Sequence, residues 1–207
     1  GALLTSNTTV MDDFDFDLED ANGNEATNAN GCYWLTSDDD AIGDEDGLAR
    51  SYHSDRDAVA AWWGGHRSYN FFHDRFGMDS YDNDGEDVEA YIHAGGSVVG
   101  AAASYNPGCD VFQFSNGNVA DDIFTHEFTH AVIAASSNLT YQNQPGALNE
   151  SFADIMGALH DGNWLIGESR TGSSTPFRDM SDPPRMGHPD TMPPRMITRD
   201  NGGVHSN

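Results

Sequence analysis

The spacing of apolar residues changes along this chain. Phe14, Phe16 and Leu18 alternate with Asp13, Asp15, Asp17 and Glu19, and that period of two predicts a strand with one wet face, ended by Asn22-Gly23. From Asp55 to Phe76 the period turns helical. Val59, Trp62, Trp63, Tyr69, Phe72 and Phe76 share one broad face and Gly77 supplies the stop, although Gly64-Gly65 interrupts the middle. Val88 to Ile92 and Val111 to Phe114 read as short strands, and residues 38–46 as an acidic loop. A second helix is expected from Asp121 to about Ser136 on Ile123, Phe124, Phe128, Ala131 and Ile133. A third runs from Ala147 to about His160 on Leu148, Phe152, Ile155, Met156 and Leu159, after the breaking stretch Gln144-Pro145-Gly146. Beyond Gly162 the pattern is irregular, and all prolines except Pro107 and Pro145 lie from Pro176 to Pro194. The sum is an α+β chain: a β-rich segment over residues 1–50, then a region over 51–207 whose long helices carry the chemistry.

That chemistry sits on the second helix. His126-Glu127-Phe128-Thr129-His130 sets two imidazoles four residues apart, hence on one helix face, with an acid beside the first. Catalytic zinc takes three protein ligands and keeps one position open. Glu150 follows His130 by twenty residues on the third helix, and a helix, a turn and a packed second helix can return its carboxylate to the histidines. Asn149 and Asp154 stand where they can hold the other ring nitrogens. Two other zinc classes fail on spacing. One needs a glycine and a third histidine where Ile133 and Ser136 stand; the other needs its glutamate where Asn149 stands.

Composition narrows the partners. Thirty-four acids against nine bases, all of them arginine, give a net charge of −25. Such a field repels nucleic acid and anionic membrane, and no run approaches the ~20 apolar residues of a membrane span. The chain opens Gly1-Ala2-Leu3-Leu4-Thr5 without a basic leader, so a signal peptide and pro-segment are expected to have been removed. Cys32 and Cys109 fit one disulfide of an exported protein, or two unrelated cysteines. Asp82-Asn83-Asp84-Gly85 and Asp44-Glu45-Asp46-Gly47 lack the closing glutamate of a calcium loop, since Tyr91 and His53 occupy those positions; both read as solvated turns.

The segment around His126 to His130, with Leu139-Thr140-Tyr141-Gln142-Asn143, Gly146-Ala147, Asn149-Glu150 and Asp154-Ile155, resembles the centre of the thermolysin-like neutral metalloproteases. Ala58 through Phe76, Phe177-Arg178-Asp179-Met180-Ser181-Asp182-Pro183 and Asp200-Asn201-Gly202-Gly203-Val204-His205 are similar in the same order, so the likeness runs from about Asp55 onward. The resemblance implies a secreted zinc endopeptidase acting on peptide or protein substrates. His126, His130 and Glu150 would hold zinc, Glu127 would activate water, and Tyr141 and His205 would donate to the oxyanion. Asp200 would orient His205, Arg178 would bind a substrate carbonyl, and Asn106 would hold the extended peptide. Ile123, Ile166 and Phe177 would line the pocket after the scissile bond, giving cleavage before large apolar residues. Asp122, Asp161, Asn163 and Glu168 would bind one structural calcium. The family continues past its second histidine into a helical domain; with His205 two residues before Asn207, that remainder is expected to be a separate chain, truncated or absent. The alternative is a zinc-binding remnant without turnover.

Overall fold

The computed structural model describes residues 14–21, 41–44, 46–94, 102–191 and 199–205. Five strands form one mixed sheet in the order β2-β1-β3-β5-β4: β1 (Phe16–Asp20), β2 (Ala41–Gly43), β3 (Val88–Ile92), β4 (Ala103–Asn106) and β5 (Val111–Phe114). β1, β3 and β5 run parallel, and the outer strands β2 and β4 pair antiparallel to their neighbours. Helices α1 (Arg56–Phe76), α2 (Asp121–Ala135) and α3 (Asn143–Asp161) follow, with a two-stranded ribbon, β6 (Leu165–Ile166) and β7 (Arg178–Asp179).

The core lies between α1, α2 and the sheet. Phe16, Leu18, Val88, Ala90, Phe112 and Phe114 project from the strands onto Phe72, Phe124 and Phe128 of the helices. Phe114 stacks on Phe124 at 4.9 Å and Phe72 on Phe128 at 5.2 Å, the offset arrangement aromatic rings favour. Glycine does not break α1. A Cβ at Gly65 would come within 2.5 Å of Phe16 Cε2, so the bare backbone is what lets the helix lie on β1. At its start Asp55 accepts from Asp57 N and Ala58 N, and at its end Gly77 turns left-handed at φ 70.

Several expectations need correcting. The wet face of β1 holds at Asp15 and Asp17, which are exposed, but fails at Glu19, which is 1% exposed. β2 lies within the acidic 38–46 stretch, and β4 carries no strand signal of its own because Ala103-Ser104-Tyr105-Asn106 lacks β-branched residues. α3 starts at Asn143, not Ala147. Pro145 sits in its first turn, where the missing N–H would have no intrahelical partner anyway. The largest inversion concerns which side of α3 is buried. Leu148, Phe152, Ile155 and Leu159 are exposed at 47, 42, 37 and 59%, while Asn149, Glu150, Ala153, Asp154 and Gly157 face α2. Asn22-Gly23, Cys32 and residues 192–198 lie outside the described residues. Cys109 is disulfide-bonded.

Candidate metal centre

α2 and α3 pack along a seam made mostly of polar groups. Residues 122, 126 and 130 of α2 recur every four positions and so line one edge. Across the seam Gly157 allows the backbones to close up, since a Cβ there would lie 2.8 Å from the Asp122 carbonyl. The approach brings one nitrogen each of His126 and His130 and one oxygen of Glu150 within 4.8 Å of one another.

The hydrogens of this cluster can be assigned from its neighbours. His130 Nδ1 is 2.7 Å from Asn149 Oδ1, whose amide is oriented by Nδ2 facing the Leu139 carbonyl. His126 Nδ1 is 2.9 Å from Asp154 Oδ1. Both oxygens accept only, so in the neutral rings both Nδ1 atoms carry the hydrogen and both Nε2 atoms present lone pairs. Those Nε2 atoms face each other at 3.1 Å, with Glu150 oxygens 3.4 Å from His126 and 3.3 Å from His130. Three acceptors this close repel unless a cation sits among them. Glu150 Oε2 is buried without a hydrogen bond, as a ligand oxygen awaiting an ion would be. A tetrahedral ion with ligand bonds of about 2.0–2.2 Å requires ligand–ligand edges of roughly 3.3–3.5 Å, so the residues fit zinc.

Titration follows the same field. Burial opposes a charge on His126, but Asp154 and Glu150 outweigh it and raise the imidazolium pKa to about 10. Burial alone would raise Glu150, yet the two imidazoles pull it far below the carboxylate range. Asp154 goes to about 2 despite its burial, under His126 and Arg178.

Around the triad stand the other groups singled out from the sequence. Glu127 is 6% exposed, and its Oε2 accepts from the Tyr105 N–H of β4 at 2.9 Å. Tyr141 donates to Glu150 Oε1 and lies 3.2 Å from His205 Nε2. Burial first, then the Glu150 charge, push its phenol upward, so it stays protonated. His205 is clamped twice by Asp200, through its backbone N–H at 3.0 Å and its Nδ1 at 2.8 Å. Val204, fully buried, tucks against Gly146 and ties this segment to the start of α3. Arg178 Nη2 donates to Asp154 Oδ1 at 2.6 Å, and its Nε is 2.6 Å from Oδ2. Ile123, Ile166 and Phe177 gather about Gly167 and Gly157, with the two isoleucines 4% and 1% exposed. Asn106 is the exception. It lies at the outer end of β4, and its Oδ1 is engaged by Gly108 N at 3.0 Å, closing the Pro107 turn rather than facing the cleft. The side-chain amide prefers its own backbone two residues on, as asparagine does in turns.

A second cluster lies on the same seam. Asp122, Asp161 and Glu168 also bring oxygens within 4.8 Å, and Glu168 Oε2 is buried without a hydrogen bond. Asp122 accepts from Gly167 N and from Ile123 N at 2.8 Å. Asn163 departs from the expected ligand role. Its Oδ1 takes the Leu165 N–H at 2.7 Å, which turns its amide hydrogens toward Asp161 and Glu168. The Asp82 and Asp44 loops are backbone-capped turns, each aspartate accepting nearby N–H groups.

Comparison with known proteins bears on this geometry. The thermolysin metallopeptidase catalytic-domain model matches residues 4–134, and the thermolysin metallopeptidase α-helical-domain model matches residues 137–207. The two meet between α2 and α3, so the triad draws one side from each. Bacillolysin of Bacillus amyloliquefaciens is 38% identical over 165 residues, covering 74% of this chain and 32% of that protein. Neutral protease NprE of Bacillus pumilus is 38% identical over 165 residues, covering 74% of this chain and 55% of that protein. The chain thus spans a third to about half the length of these relatives. The solved precursor of protealysin, a metalloproteinase from Serratia proteamaculans, superposes with a TM-score of 0.73 at 25% identity, over 99% of this chain and 68% of that one. Among the described residues no helix is long and apolar enough to cross a membrane.

Proposed function

The chain belongs to the thermolysin family of metallopeptidases, and on that premise we propose that it acts as a secreted zinc endopeptidase cleaving before large apolar residues. One observation carries the proposal: two imidazole Nε2 atoms 3.1 Å apart with Glu150 oxygens against both, beside a buried glutamate that is not itself in the triad. When bound, zinc supplies a Lewis acid that polarises the scissile carbonyl and lowers the pKa of water to about 7.

The remaining steps belong to the chain. Glu127 is held by the Tyr105 N–H on one oxygen, which leaves the other to take a proton from the attacking water and return it to the leaving amine. The phenol of Tyr141 and the Nε2 of His205 converge where negative charge develops on the carbonyl oxygen. Asp200 keeps the His205 ring in place through Nδ1. Arg178, anchored on Asp154, offers its remaining N–H groups to a substrate carbonyl. With the Asn106 side chain engaged in its own turn, the backbone edge of β4 is the better support for an extended peptide. Ile123, Ile166 and Phe177 form the apolar wall that favours a large side chain after the cut.

Asp122, Asp161 and Glu168 suit one calcium, which prefers oxygen ligands. The exposed row Leu148, Phe152, Ile155 and Leu159 favours further polypeptide packing on α3 to finish the cleft, whether in the same chain or separate.

The test is metal analysis beside hydrolysis of an internally quenched peptide. Glu127→Ala is expected to keep zinc and lose turnover by about 10²- to 10⁴-fold. Zinc bound with no turnover in the unaltered protein would leave only a metal-binding module.

A further inference from the structure

His188 is a titratable side chain that none of the steps above employs. It follows the 3₁₀ turn Pro183–Met186, half-buried, and its Nδ1 lies 3.1 Å from the backbone carbonyl of His205. A carbonyl oxygen only accepts, so Nδ1 carries the hydrogen and His188 is the donor.

The route back from His188 is rigid. Its own N–H donates to Pro183 O at 3.1 Å, and Gly187 closes the 3₁₀ turn in the left-handed region at φ 84. Asp179, 4% exposed, caps that turn through Oδ1, which accepts from Ser181 N at 3.1 Å, Ser181 Oγ at 2.6 Å and Asp182 N at 3.3 Å. Its Oδ2 takes Arg185 Nη1 at 3.0 Å. Asp179 directly follows Arg178, which is fixed on Asp154, which in turn lies against His126. Residues 178–188 therefore form a bracket. One end grips the metal cluster through Asp154, and the other grips the backbone of His205.

We propose that His188 is a positioning residue for His205, setting where the His205 ring meets Tyr141 by holding its main-chain carbonyl. Asp200 fixes the ring and the N–H from within the same short segment, and Val204 packs that segment on the start of α3, but neither holds the His205 carbonyl. His188 adds a hold from a different part of the chain. The role rests on the peptidase reading for its effect on rate, but the positional effect on His205 does not.

The test uses the full zinc-loaded chain with His188→Leu, which removes the donor at similar size, and His188→Asn, whose side-chain amide presents an N–H near the Nδ1 position. For His188→Leu, kcat on a quenched peptide is expected to fall about 3- to 10-fold, the loss of one ordinary hydrogen bond. KM and zinc content stay unchanged, and the ring ¹⁵N NMR signals of His205 shift as the ring moves relative to Tyr141. His188→Asn should restore both kcat and the His205 signals. An unaltered kcat and an unaltered His205 signal in His188→Leu would overturn the proposal, as would equal impairment in both variants. Should the parent protein hold zinc without turnover, the peptidase reading fails, and the His205 signal alone decides the role of His188.

Discussion

The two donor clusters on the α2–α3 seam share their helices but not their design. In the triad each imidazole is held from behind, His126 by Asp154 and His130 by Asn149, and two of the three donors are neutral groups when metal is bound. The Asp122, Asp161 and Glu168 cluster gathers three acids with a bridging amide, and its charges oppose one another. Burial, then Glu168 and Asp161, raise Asp122 to about 6 against the backbone N–H groups that favour its ionised form. One site is preorganised by hydrogen bonds to its ligands. The other gathers like charges whose repulsion is offset only by the Asn163 amide and the backbone N–H groups on Asp122.

The contrast breaks most visibly on metal content. Glu150→Gln removes a ligand charge and is expected to abolish stoichiometric zinc, whereas Asp122→Asn leaves zinc intact; atomic absorption on both variants after dialysis decides it. Equal zinc loss in the two would mean the clusters are not separable. Asp154→Asn weakens the support behind His126 and the anchor of Arg178, and weaker zinc binding by about 10- to 100-fold is expected, read by chelator competition. No change would place the orientation of His126 elsewhere.

The smallest effect concerns pH. Asp122 has a folded pKa of about 6, above its ordinary value of 3.8, so the native state binds more protons than the unfolded one between those limits. Its contribution to stability is therefore present below about pH 4 and is lost as pH rises through 6. Calcium should reverse the loss, since it binds the carboxylate. Thermal melts at pH 4.5 and 7, with and without calcium, are expected to show a larger calcium-induced rise at pH 7. A rise independent of pH would remove Asp122 from the cation site.

How far this was readable beforehand varies with the range of the interaction. The helix of His126 and His130 and the strands at 88–92 and 111–114 follow from local periodicity and came out at nearly the observed bounds. Pro145 misled because its position within a first turn cannot be told from its presence. β4 was missed because its register comes from pairing with β5, not from its own residues. Asn106 was assigned by motif order, and the turn it closes was invisible until the chain folded. Nothing in the spacing marked His188, since its partner is a backbone carbonyl seventeen residues away.

By itself the sequence determined which residue types are available and how they repeat: two imidazoles one helical turn apart, an acid beside the first, and a glutamate on the next helix. Tertiary structure alone decided that the apolar row of α3 points outward while its polar row meets α2. It also decided that Asn163 turns its hydrogens, not its oxygen, toward the acids. The reason is that periodicity is written in local backbone geometry, whereas the choice of buried face and of hydrogen-bond direction depends on groups brought near only by packing.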